Sequence, residues 1–279
     1  MTAWLVRAVV VLVAVTVAAG CGSAARAAKG SPTTTTAVTD PAASAALEAW
    51  SRFPVTAATR PLVLVDEQVV GPNGGFANAD LKEAFVAGAV TTPSSLPAGP
   101  DQSDGFPIIS AAAAIETLRA SGKGTSASQL TTTSVQLGMA SFVTDRGSID
   151  LPAWMVSFAE VQDPAAVLAV ASSARFAPTP PPLGSAQIGA RSTPDARTLT
   201  LTVLGFAAGE GACTADYAAE AVESAAAVAI TVHETRHDQT SSVNCELVGY
   251  PREVTLTLAA PLGARVLVDT KSRAAVSVP

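Results

Sequence analysis

Residues Val232–Asp238, VHETRHD, place His233, Glu234 and His237 in the His-Glu-x-x-His order of zinc peptidases. On a helix, positions four apart share one face about 6 Å apart along the axis, so two imidazoles can meet a single zinc. The residues leading into His233 read AAAVAITV, with Val228, Ile230 and Val232 alternating as in a strand. In a strand the two histidines stand about 13 Å apart and Glu234 faces the other way. Arg236 adds a positive charge between the supposed ligands, Asp238 to Ser242 reads as a loop, and the chain has only two histidines. The expectation is therefore that His233 and His237 bind no metal. The alternative is a zinc metallopeptidase built on His233, Glu234 and His237.

Other chemistry is sparse. Gly71–Gly75 is glycine-rich, but no Lys-Ser or Lys-Thr follows it, so a surface turn is expected rather than a phosphate loop. A Ser-His-Asp triad would draw its base from His233 or His237, and no Gly-x-Ser-x-Gly elbow supplies a nucleophile. Paired carboxylates of glycosidase type are set in space rather than in sequence; Asp145, Asp150 and Glu160 are the nearest candidates, and solvated charges are the expectation. Trp154 is expected in the core. No catalytic residue and no cofactor is assigned, and the other enzymatic alternative is an extracytoplasmic hydrolase of unrecognised type.

The elements that would position any site follow an address. Trp4 and Arg7 precede an apolar run, Ala8 to Ala19, which ends in Ala18-Ala19-Gly20-Cys21. That run is too short for a good membrane-spanning helix, which needs about 20 apolar residues, and it reads as a secretory signal over residues 1–20. The Ala-Ala-Gly-Cys ending resembles a bacterial lipobox, which implies acylation of the Cys21 sulfur and cleavage before it. Residues 21–44 contain no aromatic residue, leucine or isoleucine, and are expected to form a disordered tether with a reach of about 27 Å. Membrane lipid, through acylated Cys21, is thus one expected partner, and the location is extracytoplasmic.

Charge narrows the remaining partners. Arg7 is the one charged residue of the leader, so the chain after it carries 16 basic and 23 acidic residues, a formal −7. Clustered Lys and Arg are absent, which argues against nucleic acid. An envelope protein or a small ligand is left as the unidentified partner. Of the three cysteines, Cys213 and Cys245 remain once Cys21 is assigned to lipid, and in an exported protein they are expected to pair. Closing a loop of about 33 residues would stabilise the fold by about 3–4 kcal/mol in the chain-entropy model.

The fold class expected is α+β: a mixed domain over residues 45–177, a Pro-rich linker over 178–197, and a small β-rich, sandwich-like domain over 198–279. Leu47, Trp50 and Phe53 recur at helical spacing, ADLKEAFVAG reads as a helix, and Ser110 is the expected cap of AAAAIETLRASG. Val135 to Phe142 and Leu151 to Phe158 flank Asp145-Arg146-Gly147 as a hairpin. Asp163-Pro164 suggests a helix to Ala171, and Pro61–Val65 a short strand. Pro178 to Pro182 favours a semi-rigid spacer. Beyond it, Thr198 to Phe206, Val228 to Val232 and Val254 to Leu258 alternate; Val266 to Val268 and Val276 to Val278 are edge candidates; and Tyr217 to Ala227 is open between a helix, which its alanines favour, and a hairpin arm, which its place beside a strand favours more.

The layout from Thr198 to Pro279 resembles uncharacterised actinobacterial-type secreted lipoproteins. The resemblance rests on a cysteine, the turn Val222-Glu223-Ser224, an alternating strand, a second cysteine, Gly249-Tyr250-Pro251-Arg252, and Ala260 to Val266 with Val268-Asp269. Thr144 to Gly147 and Leu151 to Trp154 carry a weaker echo. It implies export and a β-rich fold, and it carries no catalytic residue over.

Overall fold

The computed structural model describes residues 40–193, 195–237, 244–246 and 248–279. Among them, in chain order, are α1 (Pro41–Trp50), β1 (Val69–Val70), α2 (Ala79–Val86), β2 (Gln102–Ser103), β3 (Phe106–Pro107), α3 (Ala111–Ala120), β4 (Thr132–Thr144), β5 (Gly147–Phe158) and β6 (Val161–Leu168). After a 3-10 turn at Ser172–Ala174 come β7 (Ile188–Ser192), β8 (Thr198–Gly205), β9 (Ala215–Glu223), β10 (Ala227–Arg236), β11 (Tyr250–Thr257) and β12 (Val266–Asp269). The fold is mostly β.

Each helix starts where a short polar side chain captures an orphan backbone N–H. Asp40 accepts from Ala42 at 2.8 Å, Asn78 from Leu81 at 3.0 Å and Ser110 from Ala113 at 3.2 Å. The first cap corrects the tether boundary. Pro41–Ser44 are the first turn of α1, because Asp40 caps it and Pro41, which has no N–H to satisfy, sits at its first position. Ala43, Ala46, Ala49 and Trp50 are its buried face.

Strands β1-β6-β5-β4 form one antiparallel sheet. The β4–β5 hairpin turns through Asp145 and Arg146 with Gly147 at φ +91°, the conformation that glycine adopts without strain. The helix expected over Pro164–Ala171 is not formed. Ala165–Leu168 lie in β6, and Asp163 and Pro164 fall where β6 and β5 skip register, so the missing proline N–H breaks no ladder bond. Both faces of β6 are covered: Ala165 and Val167 join the core under α2 and α3, while Ala166 and Leu168 join the core with Phe142 and Leu151. A strand buried on both sides shows no alternation, and its Asp-Pro start imitates a helix cap.

The C-terminal half has two three-stranded sheets, β12-β10-β9 and β11-β8-β7. Leu199, Leu201 and Val203 of β8 and Val254 and Leu256 of β11 meet Val228 and Ile230 of β10 in one core. The other face of β10, Ala227 and Ala229, lies with Val266 and Val268 of β12 against Ala43, Ala46 and Trp50 of α1. Sheet β12-β10-β9 is thus the middle of three layers, and the first described helix completes the core of the last strands. The described residues belong to one compact unit.

Three further expectations change. The linker assigned to residues 178–197 contains β7, which pairs with β8 from Ile188↔Val203 to Ser192↔Leu199 because Ile188 is buried in the inter-sheet core. Its proline-rich start is tied down at both ends, Thr179 N–H to Ala49 O at 3.3 Å and Leu183 N–H to Ser272 O at 2.7 Å. Pro61–Val65 and Val276–Val278 make isolated contacts instead of strands: Leu62 bridges Arg175, Leu64 bridges Thr144, and Val276 donates to Leu267 O at 2.8 Å. Tyr217 to Ala227, open between helix and hairpin arm, takes the second form: Tyr217 to Glu223 lie in strand β9, paired antiparallel with β10, which Ala227 begins.

Candidate ligand-binding cleft

The His-Glu-x-x-His residues lie on a strand and its immediate continuation. His233 and Glu234 are in β10, and the N–H of His237 extends the ladder to Thr214 O at 3.0 Å. Alternation puts His233 and His237 on one face and Glu234 on the other. Each histidine faces a carboxylate of β9: His233 Nε2 is 3.6 Å from Glu220 Oε2, and His237 Nε2 is 3.0 Å from Asp216 Oδ2. The helical face on which two histidines and a general base serve one zinc is not formed here.

Glu234 is engaged on the inter-sheet side. It accepts from Arg236 Nε at 2.6 Å and from the Tyr217 hydroxyl at 2.8 Å. Arg236 beside it holds its carboxyl below the usual range, partial burial works the other way, and Tyr217 adds to the lowering. The Tyr217 oxygen also accepts from Phe206 N–H at 2.8 Å, and burial together with Glu234 raises its pKa. The Arg252 guanidinium lies over the Tyr217 ring at 5.1 Å and donates to Phe206 O and Ala215 O at 2.9 Å each. Only glycine fits at position 205, where a Cβ would stand 2.0 Å from the Tyr217 oxygen. This network links Gly205 of β8, Tyr217 of β9, Glu234 of β10 and Arg252 of β11.

The carboxylates considered for hydrolysis are not brought together. Asp145 is buried and paired with Arg60, Glu160 accepts from Thr131 N–H at 2.9 Å, and Asp150 is exposed. Trp154 is buried, with its indole donating to Ile109 O at 2.9 Å. Around Asp145, Arg60 also donates to Ala264 O at 3.3 Å, while Arg146 donates to Gly263 O at 2.7 Å and Arg265 O at 2.8 Å. The segments Thr144–Gly147 and Ala260–Val266 therefore meet as a polar clasp. Cys213 and Cys245 form a disulfide. Cys21 lies outside the described residues.

The feature that sequence reading missed is a cleft of about 370 Å³. That is within the range of small-molecule sites, about 300–1,000 Å³. One wall is Trp50 at the end of α1 with Phe176, whose ring centroids are 5.5 Å apart; the proline-rich segment, through Pro178 and Pro182, and Ala275 after β12 add further apolar surface. Asp66, Glu67 and Gln68 are exposed and line it as well. The walls are pinned: Val65 N–H donates to Val143 O at 3.0 Å, Leu168 N–H to Gln68 O at 2.8 Å, and the Trp50 indole to Arg273 O at 3.0 Å.

Arg175 also lines this cleft. Its backbone is locked beside Leu62, with Leu62 N–H donating to Ala174 O at 3.0 Å and Phe176 N–H to Leu62 O at 2.8 Å. Its Nε is buried without a partner, its terminal nitrogens form no hydrogen bond or ion pair with any described residue, and burial lowers its pKa. In sequence it stands in Ser-Ser-Ala-Arg-Phe, where no motif or periodicity marks it.

No family model, no curated protein and no solved structure matches the chain.

Proposed function

We propose that the protein is a surface-anchored lipoprotein of the bacterial cell envelope that binds a small ligand, without catalysis, in the cleft between α1, the proline-rich segment and Asp66–Gln68. The observation that carries this reading is the cleft itself. Separate parts of the chain build it from apolar walls and a few polar groups, the composition typical of ligand sites. Its lining includes Ser172 and Ser185 but no histidine to activate them. The paired Cys213 and Cys245 fit an exported protein, and the lipobox-like ending at Cys21 supports the anchor. The α+β reading of the first half, followed by a sandwich-like second half, belongs to the same proposal.

Two measurements test it. Cys21→Ala is expected to move the protein from the membrane fraction to the medium or to leave it unprocessed; a mutant that stays with membranes at mature size removes the anchor. For the cleft, Ser185→Trp fills an exposed lining position. A chemically diverse panel should contain compounds that raise the thermal midpoint of the wild type and not of this variant, since a ligand at 100 times its Kd stabilises by about 2.7 kcal/mol. Equal shifts in both proteins, or none in either, would count against the site.

A further inference from the structure

The chemistry of Arg175 narrows what the cleft would hold. Most arginines among the described residues have their charge or their donors used within the protein. Arg60 pairs with Asp145, Arg119 with Glu116, Arg191 with Glu253, Arg236 with Glu234 and Arg265 with Glu223. Arg197 and Arg252 donate to backbone carbonyls. Arg175 has neither kind of partner, although it is half-buried, in a cleft, on backbone held by two hydrogen bonds to Leu62. A partly desolvated cation gains from a counter-charge and hydrogen bonds, and the guanidinium fork matches a carboxylate.

The lining also limits the size of that counter-charge. Glu67 pairs with Lys123 at 2.6 Å, whereas Asp66 forms no ion pair with a described residue and leaves one carboxylate in the lining. With one guanidinium and one such carboxylate in the lining, a singly charged anion is favoured over a phosphate or a dicarboxylate. The apolar surface of Phe176, Pro178 and Pro182 calls for an apolar body behind the charged group. We propose that the cleft takes an organic monocarboxylate with a compact apolar body, its carboxylate held by the terminal nitrogens of Arg175 and its body against Phe176 and the proline-rich wall. This rests on the cleft being the ligand site.

The test uses the mature protein, 15N-labelled, with the Trp50 indole N–H and the Phe176 and Ser185 amides as reporters. It is titrated separately with benzoate, hexanoate, benzamide, benzylamine and inorganic phosphate. Benzoate and hexanoate are expected to shift the reporters saturably, and benzamide to bind at least about tenfold more weakly, a difference of about 1.4 kcal/mol. Arg175→Met, which keeps the apolar stem, should bring benzoate down to the benzamide level, and Arg175→Lys should fall between. Benzamide binding as tightly as benzoate in the wild type would overturn the carboxylate assignment and leave the cleft reading intact. Tighter binding of benzylamine or phosphate would overturn it as well, in favour of Asp66 or of a multiply charged anion. If no probe moves any reporter, this proposal fails; the cleft reading then stands or falls on the Ser185→Trp panel.

Discussion

Asp145 accepts both arms of Arg60, a residue 85 positions earlier in the chain. The carboxylate is 1% exposed, and its backbone oxygen accepts from Val278 N–H at 3.2 Å, so one residue ties the β4–β5 turn to the segment after α1 and to the last residues of the chain. Removing one partner of a buried pair leaves the other charge without compensation. Asp145→Ala is expected to lower stability by about 3–5 kcal/mol in urea unfolding. Glu67→Ala breaks an exposed pair with Lys123 and should change it by less than about 1 kcal/mol. Similar midpoints for the two variants would show that the Arg60–Asp145 pair holds nothing together.

Reduction of Cys213–Cys245 reopens a loop with a sequence separation of 32. The chain-entropy model gives about 3–4 kcal/mol for such a closure. Calorimetry with and without reductant should show the thermal midpoint falling, and titration of the denatured, unreduced protein should find no free thiol at either position.

Glu234 has a folded pKa below its ordinary value of 4.5, first because of Arg236. A lowered carboxylate stabilises the fold above the unfolded value, and that contribution is lost as the pH falls through the folded value. Wild type should therefore exceed Glu234→Gln in stability at pH 7, by no more than about 1 kcal/mol because the pair is partly solvated. The difference should fade below about pH 4.5. A difference that grows on acidification would mean that the lowering has been assigned to the wrong group.

For His233 and His237 the strand geometry forecasts the same calorimetric zinc isotherm in the wild type and in His237→Ala. A one-to-one zinc site in the wild type, lost together with peptidase activity in His237→Ala, would establish the metallopeptidase alternative instead.

Local chemistry was legible in the sequence. Ser110 as a cap, the Asp145-Arg146-Gly147 turn, the strand character of Val228 to Val232 and the Cys213–Cys245 pair all depend on neighbours in the chain or on elimination among three cysteines. The lipobox-like ending at Cys21 is a resemblance read from sequence alone, and the signal and anchor it implies belong to the proposed function.

What the tertiary structure decided is how many faces each element buries and which charges find partners. Ala165–Leu168 lost its alternation because both sides of β6 are covered, so a cap-like Asp-Pro prevailed in a reading made from sequence. Pro41–Ser44 looked too poor in large side chains to order, yet small alanines are what allow α1 to lie close on β10 and β12. Arg60 and Arg175 are indistinguishable as letters. The fold brings Asp145 to the first across 85 positions and brings no carboxylate to pair with the second, because ion pairing depends on distances that only long-range packing sets.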